Sequence, residues 1–499
     1  MTSLDAVVIG SGPNGLAAAV TLARAGLRVQ VLEAEDSIGG GSRTLDLGPS
    51  GFRHDLCSAV HPMALASPFF REFELARRVE FIVPDISFAH GLSPTTAALS
   101  YRDLARTADG LGPDGRAWAG LFAPLVENID AVIDLGLNQL LRIPTHPVVA
   151  VRYGLRVAEQ GSLLWNLRFR TAAARALLTG VNAHTLGRMP SLPTAGAGLL
   201  LAALGHAVGW PIPRGGSQSI ADAMVDDLLR HGGDVVTGVR VQSLADLPET
   251  RATLFDTSAR AMDAIVGERF PAGYRRALGR FRYGNGAAKV DFALSGPVPW
   301  RNPELRCSPT IHLGGDRATL ARSEWEVSRG RIPASPYLLV SQPSLVDDTR
   351  APHGAHSLWT YTHVPQGCEQ DMGQVVEDLL ESYAPGFKDL VVARNSIPAS
   401  RLSHHDANYI GGDFGAGAVT LTQLVKRPVV SPRPWRTPVP GIYLCSSSSV
   451  PGPGVHGMSG WHAARLALAE RFGLEPPALA LHATETVTRP GKRDIRERA

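Results

Sequence analysis

Cysteine is the scarcest chemistry in this chain. Only four of the 499 residues are cysteine, Cys57, Cys307, Cys368 and Cys445, and no two of them form a C-x-x-C pair. That spacing excludes a disulfide framework, a zinc ribbon and dithiol redox chemistry, and it points to a reducing compartment. Charge of one sign is also missing. Lys plus Arg total 49 against 46 acids, a net charge of +3. Basic residues read as scattered, without the clusters and interleaved aromatics of a nucleic-acid surface, so no nucleic-acid partner is expected. No apolar run reaches the ~20 residues of a membrane span. The longest, Ala195–Trp210, is broken by His206 and bounded by Pro193 and Pro211. We read it as a buried helix beside a substrate, the alternative being a surface that dips into a membrane. The first apolar run starts at Ala6, so no cleavable leader is expected. A cytoplasmic protein is expected, with peripheral membrane contact as the variant of that reading. His404 and His405 have no further ligand at metal spacing, so no metal is expected. The remainder is ordinary globular composition, 44% apolar and 19% charged, in a chain long enough for two domains.

What is present is a phosphate cradle. The run Ala6–Ile9 has the character of a buried strand, and Gly10-Ser11-Gly12-Pro13-Asn14-Gly15 follows as G-x-G-x-x-G. Leu16–Ala25 then reads as a helix stopped at Gly26, and a second apolar run, Val29–Leu32, delivers Glu33, 23 residues after Gly10. Each part has a mechanical reason. Gly10 permits the tight turn, Gly12 lets backbone approach a pyrophosphate, and Gly15 lets helix and strand pack closely. The helix start offers unpaired N–H groups and the positive end of a dipole, and Glu33 accepts ribose hydroxyls. The chain is expected to bind a dinucleotide.

A second glycine cluster, Gly39-Gly40-Gly41-Ser42-Arg43-Thr44, follows the acid. It resembles the G-G-R-x-x-T pattern of FAD-dependent proteins of the amine oxidase and phytoene desaturase type. Gly39 and Gly40 fall on the paired glycines and Thr44 on the threonine, while Gly41 stands at the arginine position and Arg43 comes two residues later. Two later stretches are similar to the same family. Pro213-Arg-Gly215-Gly216, a helix over Ile220–Arg230 and a strand over Asp234–Val241 would bring the Val241 backbone to the adenine, and Ala252–Thr257 reads as the next strand of that sheet. The C-terminal stretch Pro440–Ala464 reads as strand, glycine-rich loop and a helix running to about Phe472. The resemblance implies that Gly454, Val455, Gly457 and Met458 lie against the flavin ring and ribitol, with Ser446 where relatives carry an aspartate. The wording of Gly51–Pro62, Tyr409–Asp413 and Gly454–Gly460 resembles bacterial phytoene dehydrogenase-like proteins. The likeness runs over roughly residues 4 to 475.

The expected fold is therefore α/β: a Rossmann-like FAD-binding domain assembled from the discontinuous segments 1–69, 210–259 and 436–475, interleaved with an α+β substrate domain of residues 70–209 and 260–435. Within the insertions, Leu121–Leu141 and Tyr153–Leu178 have helical spacing. Ala288–Leu294, Tyr337–Ser341 and His356–His363 alternate as strands, and Met372–Tyr383 reads as a helix. Residues 476–499 form a polar, basic tail, expected to be disordered from about 481.

The resemblance implies a dehydrogenase or desaturase that passes a hydride from a small hydrophobic substrate to flavin N5, with oxygen, a quinone or another carrier as final acceptor. No second glycine cradle is visible for a nicotinamide donor. His456, in the loop expected beside the flavin, is the candidate catalytic base, against the simpler role of holding that loop. His61, Asp413 and the alternating Trp359, Tyr361 and His363 could line a cavity or simply pack. An amine or amino-acid oxidase shares the fingerprint, and a non-catalytic flavin-fold binding protein is the alternative outside enzymes. Oligomeric state is not legible.

Overall fold

Residues 4–481 and the short strand Arg496–Glu497 are described by the computed structural model. Strand Ala6–Ile9 is apolar and buried on both faces, and Val29–Leu32 and Ala252–Phe255 are buried except at Gln30 and Thr253, which suits a parallel sheet covered on both sides. They sit in a six-stranded, all-parallel sheet ordered 442–444, 252–255, 6–9, 29–32, 234–237 and 496–497. The chain leaves Ala6–Ile9 on one side for 29–32 and 234–237, then returns on the other side at 252–255. Strand order reverses there, so a crevice opens at the carboxyl ends of these strands, where doubly wound sheets take their ligands. The fold is a Rossmann-like nucleotide-binding domain built of discontinuous segments plus a second, α+β domain.

Helix Pro13–Arg24 starts with proline in its first turn after an extended Gly12 and buries nearly every side chain. It packs on helix Met458–Ala467. At that crossing a Cβ on Gly460 would lie 1.7 Å from the Asn14 carbonyl oxygen, so only glycine lets the two helix starts meet. The strand expected to reach Val241 ends at Thr237, because Gly238 takes φ +70 and turns the backbone.

The second domain carries a seven-stranded sheet ordered 391–397, 286–294, 356–364, 338–341, 310–313, 86–93 and 96–101, in which only 310–313 and 86–93 run parallel. Alternation sorts its side chains. Val290, Phe292 and Leu358 enter one core, whereas Leu339, Trp359 and Tyr361 face the other way. A helical cap covers that second face. The expected helix over 121–141 is two helices, Gly115–Val126 and Ile129–Gly136. The expected helix over 153–178 is three pieces, Pro147–Gln160, the tight turn Leu163–Asn166 and Ala172–Asn182. Thr171 restarts the last by accepting the Ala174 N–H, and the Asp114 carboxylate takes the Arg170 and Thr171 N–H groups.

Helix Leu192–Ala207 is largely buried, so the reading of that stretch as a membrane-dipping surface is overturned. Among the described residues no helix is long and apolar enough to cross a membrane. The residues just ahead of the stretch expected to be disordered are docked. Leu479 is fully buried and Arg24 donates to the Ala480 carbonyl at 2.9 Å. Arg496–Glu497 extends the parallel sheet, while 482–495 and 498–499 lie outside the described residues.

Candidate functional site

The turn after Ala6–Ile9 is shaped by a residue 241 positions beyond Gly15. Gly10 takes φ +97, and a Cβ there would lie 2.7 Å from the Asp256 carbonyl oxygen. A Cβ on Gly12 would meet Asp256 Oδ2 at 2.6 Å, and one on Gly15 would meet the Gly10 carbonyl at 2.4 Å and Asp256 Oδ2 at 2.9 Å. All three glycines therefore make room for the end of strand Ala252–Phe255. Gly12, read from the sequence as the point where backbone approaches a pyrophosphate, thus also makes room for the Asp256 carboxyl. Asp256 Oδ2 accepts the Gly15 N–H at 2.9 Å. Burial pushes the Asp256 carboxyl up to about 8, with Asp406 and Glu33 adding to the shift. Glu33 is held by the Ser11 N–H and hydroxyl on one oxygen and the Glu35 N–H on the other.

These residues form one end of a single cavity of about 1460 Å³. Its wall includes Gly10, Ser11, Gly12, Pro13, Asn14, Glu33, Gly40, Gly41, Ser42, Arg43, Val241, Ser446, Gly454, Val455 and His456. Segments from three distant parts of the sequence thus share one groove. Gly15, Gly39, Thr44, Gly457 and Met458 stand behind the wall instead. Gly15 packs on Gly10, and Gly39 donates its N–H to the Ser11 carbonyl. The Thr44 hydroxyl donates to Asp55 Oδ1 at 2.7 Å and accepts the Gln218 N–H, joining two segments of the nucleotide-binding domain. Gly457 packs on Phe69, and the Met458 N–H is taken by His456.

The departure at Gly41 has a steric cause. A Cβ there would lie 1.9 Å from the Tyr409 hydroxyl oxygen, so a side chain at position 41 fits only if Tyr409 moves. Arg43 reaches the wall, but its Nε donates to the Gly40 carbonyl at 3.0 Å and a terminal nitrogen donates to the His405 carbonyl. Ser446 donates to the Thr257 carbonyl at 2.6 Å and accepts the Ser448 N–H, which fixes the neighbouring loop.

His456 lies on the wall with both ring nitrogens committed. Nδ1 accepts the Met458 N–H at 3.1 Å, leaving Nε2 to donate to the Gly452 carbonyl at 3.1 Å, and burial lowers its pKa to about 4. Of the two roles weighed for His456, catalytic base and loop holder, these bonds fit the second: both ring nitrogens serve the loop. His61 also lines the cavity, with Nε2 donating to Ser217 Oγ at 2.7 Å, because the Ser217 hydroxyl hydrogen goes to the Ser58 carbonyl. Asp413 closes turns by accepting the N–H groups of Gly284, Gly415 and Gly417.

Beyond the cradle the cavity continues between the mixed sheet and helix Leu192–Ala207. Trp359, Tyr361, Tyr409 and Phe414 form an aromatic wall, with Tyr361 edge-on to both Trp359 (ring centroids 5.3 Å apart) and Phe414 (5.4 Å). His363, from the same strand face, is instead buried behind Tyr361 and bonded to Glu324 at 2.6 Å. Leu186, Met189, Leu200 and Leu201 line the facing side. Sequence reasoning missed Asp256, Asp406, Tyr409 and His184 as wall residues. His184 lies 2.9 Å from His312 through their Nε2 atoms, and burial keeps both imidazoles neutral. The one available signal was Gly41, whose lack of the family's arginine marks the space that Tyr409 fills.

With this geometry in view, comparison with known proteins is informative. Residues 8–73 match the NAD(P)-binding Rossmann-like domain family. The chain is 25% identical to pyridine nucleotide-disulfide oxidoreductase domain-containing protein 2 of Rattus norvegicus over 93% of each chain. It is 27% identical to phytoene dehydrogenase of Streptomyces griseus, covering 78% of this chain and 77% of that one. Over most of its length the chain is therefore similar to phytoene dehydrogenase-like proteins, and its N-terminal residues 8–73 match a NAD(P)-binding Rossmann-like family. Among solved structures, cyclohexylamine oxidase from Brevibacterium oxydans shares the fold with TM-score 0.56 at 16% identity, over 95% of this chain and 99% of that one. Putrescine oxidase bound to putrescine gives TM-score 0.55 at 17% identity, over 93% and 97%. All four cysteines of this chain are free.

The wall fits a flavin dinucleotide on two counts. Asn14 Oδ1 and Ser42 Oγ are buried on it without a protein partner among the described residues, at the level of the cradle. The volume also exceeds the ~300–1,000 Å³ of ordinary ligand pockets, which leaves room for a second molecule beside a dinucleotide.

Proposed function

We infer that this chain is a FAD-dependent oxidoreductase of the dehydrogenase or desaturase type acting on a hydrophobic substrate. The observation that carries the reading is the continuity of one cavity from Glu33 and the Gly10–Asn14 cradle, past Gly454–His456, into an apolar chamber. Glu33 would hold the ribose hydroxyls, and the helix start at Pro13, with the Asn14 and Ser42 side chains, would meet the phosphates. Val241 would face the adenine. Bound there, FAD supplies a hydride acceptor at N5, which is why no nucleophile and base need to be found in the wall. The residues of the chamber orient the substrate and exclude water. Leu186, Met189, Leu200 and Leu201 supply apolar surface, and the aromatic wall fixes one side of the substrate. The relatives named for phytoene support an extended, unsaturated apolar substrate class.

The aromatic wall favours a second reading, an amine oxidase, because a π-face attracts an ammonium group. One experiment separates these readings. Lipid-soluble compounds that co-purify with the protein are extracted, identified by mass spectrometry and returned to the flavin-loaded protein without oxygen. Bleaching of the flavin by an apolar compound supports the dehydrogenase. Bleaching only by amines, with hydrogen peroxide formed on admitting air, moves the assignment to amine oxidase. A protein that keeps its flavin and is bleached by neither is a binding protein.

A further inference from the structure

We propose that the mouth of the cavity is a membrane-docking surface that seats the protein on an anionic lipid bilayer. Helix Pro147–Gln160 buries no apolar side chain completely: its one fully enclosed residue is Gln160. Val148, Val151 and Leu155, spaced three and four apart, share one outward face and are 65–72% exposed. Ile143 and Leu163 beside it are 91% and 89% exposed. Of the 15 large apolar side chains exposed among the described residues, nine lie between 140 and 167. A concentration of that kind marks an interaction surface rather than the usual scatter of single apolar residues.

The patch is firmly held. Buried Trp165 pins the turn that carries Leu163, Leu164 and Leu167, with Arg317 donating to its carbonyl at 2.5 Å. Leu140, Leu163, Leu192 and Leu421 belong both to this exposed surface and to the cavity wall, so the apolar surface runs without a break into the chamber.

Charge selects the occupant. Residues 136–192 contain seven arginines and a single acid, Glu159, a formal +6, whereas the whole chain carries +3. Arg152, Arg170 and Arg188 make no salt bridge among the described residues. An apolar face flanked by unpaired arginines matches an interface of acyl chains beneath anionic headgroups. A second copy of the same patch would instead set arginine against arginine. The role of this surface in delivering substrate rests on the reading of a hydrophobic substrate, but docking itself does not.

The test is flotation of the full-length, flavin-loaded protein with vesicles of phosphatidylglycerol and phosphatidylcholine, beside vesicles of phosphatidylcholine alone. Binding to the anionic vesicles is expected, falling at least about tenfold as salt rises from about 0.1 M to about 1 M and the Debye length shrinks from ~10 to ~3 Å. Val148→Ser with Val151→Ser and Leu155→Ser should lower partitioning by about a hundredfold, with flavin content unchanged. Should that variant fold poorly, Ile143→Glu and Arg152→Glu with Arg188→Glu test the apolar and charged parts separately. Equal flotation of wild type and these variants overturns the proposal. So does absence of flotation, whether or not sedimentation shows a dimer that the serine variant disperses. Flavin bleaching in detergent is measured in parallel, so a failed substrate assignment with intact flotation is told apart from failed docking.

Discussion

Asp256 makes cofactor affinity depend on pH in a direction the structure dictates. Its carboxyl sits between the three cradle glycines, accepts the Gly15 N–H, and has a pKa pushed up to about 8 from the usual 3.8. Below pH 8 it is neutral and compatible with a diphosphate at the same turn. Above pH 8 it ionises in the free protein, and binding must then take up a proton. Each further pH unit therefore weakens binding by up to about tenfold, so Kd at pH 9.5 should exceed that at pH 7 by roughly thirtyfold. Asp256→Asn keeps an acceptor for Gly15 and cannot ionise, so its Kd should stay flat. The same shift bears on stability. A folded pKa above the unfolded one contributes stability that is complete below about pH 4 and lost as pH rises to about 8. The span of roughly four units sets an upper bound of about 5 kcal/mol. The Asn variant should lack that decline, measured by urea unfolding of the flavin-free protein at pH 5 and pH 8. Flavin titrations by fluorescence across pH 6.5–9.5 provide the decisive readout. A flat wild-type profile, or an Asn variant that keeps the rise, would refute the reasoning.

Gly41→Ala should cost about 1–3 kcal/mol by driving a Cβ into the Tyr409 hydroxyl, and Tyr409→Phe in the same chain should restore part of it, leaving the ring carbon 3.2 Å away. Denaturant unfolding of the four proteins of that cycle checks this, and additive losses would contradict the contact. His456→Ala should lower stability by about 1–3 kcal/mol while leaving the pH profile of flavin bleaching intact, because both ring nitrogens serve the loop. Loss of an inflection near pH 4 would return the residue to catalysis. Glu33→Gln removes the charged acceptor without changing shape and should weaken flavin binding about ten- to a hundredfold, read in the same titration. Gly460→Ala, with its Cβ on the Asn14 carbonyl, should give protein that no longer retains flavin. A normal absorbance spectrum would argue against the helix crossing.

Much of the nucleotide-binding half was legible because its signals are local. The strands at 6–9 and 29–32, the cradle between them and Glu33 all lie within one stretch of chain, and each follows from steric and hydrogen-bonding rules acting over a few residues. The long substrate-domain strands at 286–294 and 356–364 were read for the same reason, since alternation is a nearest-neighbour property. Other features could come only from the folded chain. Asp256 reaches the cradle from 241 residues away, and the Tyr409 hydroxyl fills the place of a side chain at position 41. Hydropathy alone marks helix 192–207 as the membrane candidate, yet packing buries it and leaves the less apolar helix 147–160 facing outward. Composition records how much apolar surface a segment owns. Whether that surface meets protein or solvent depends on which distant segments arrive to cover it, and this is decided only when the tertiary contacts form.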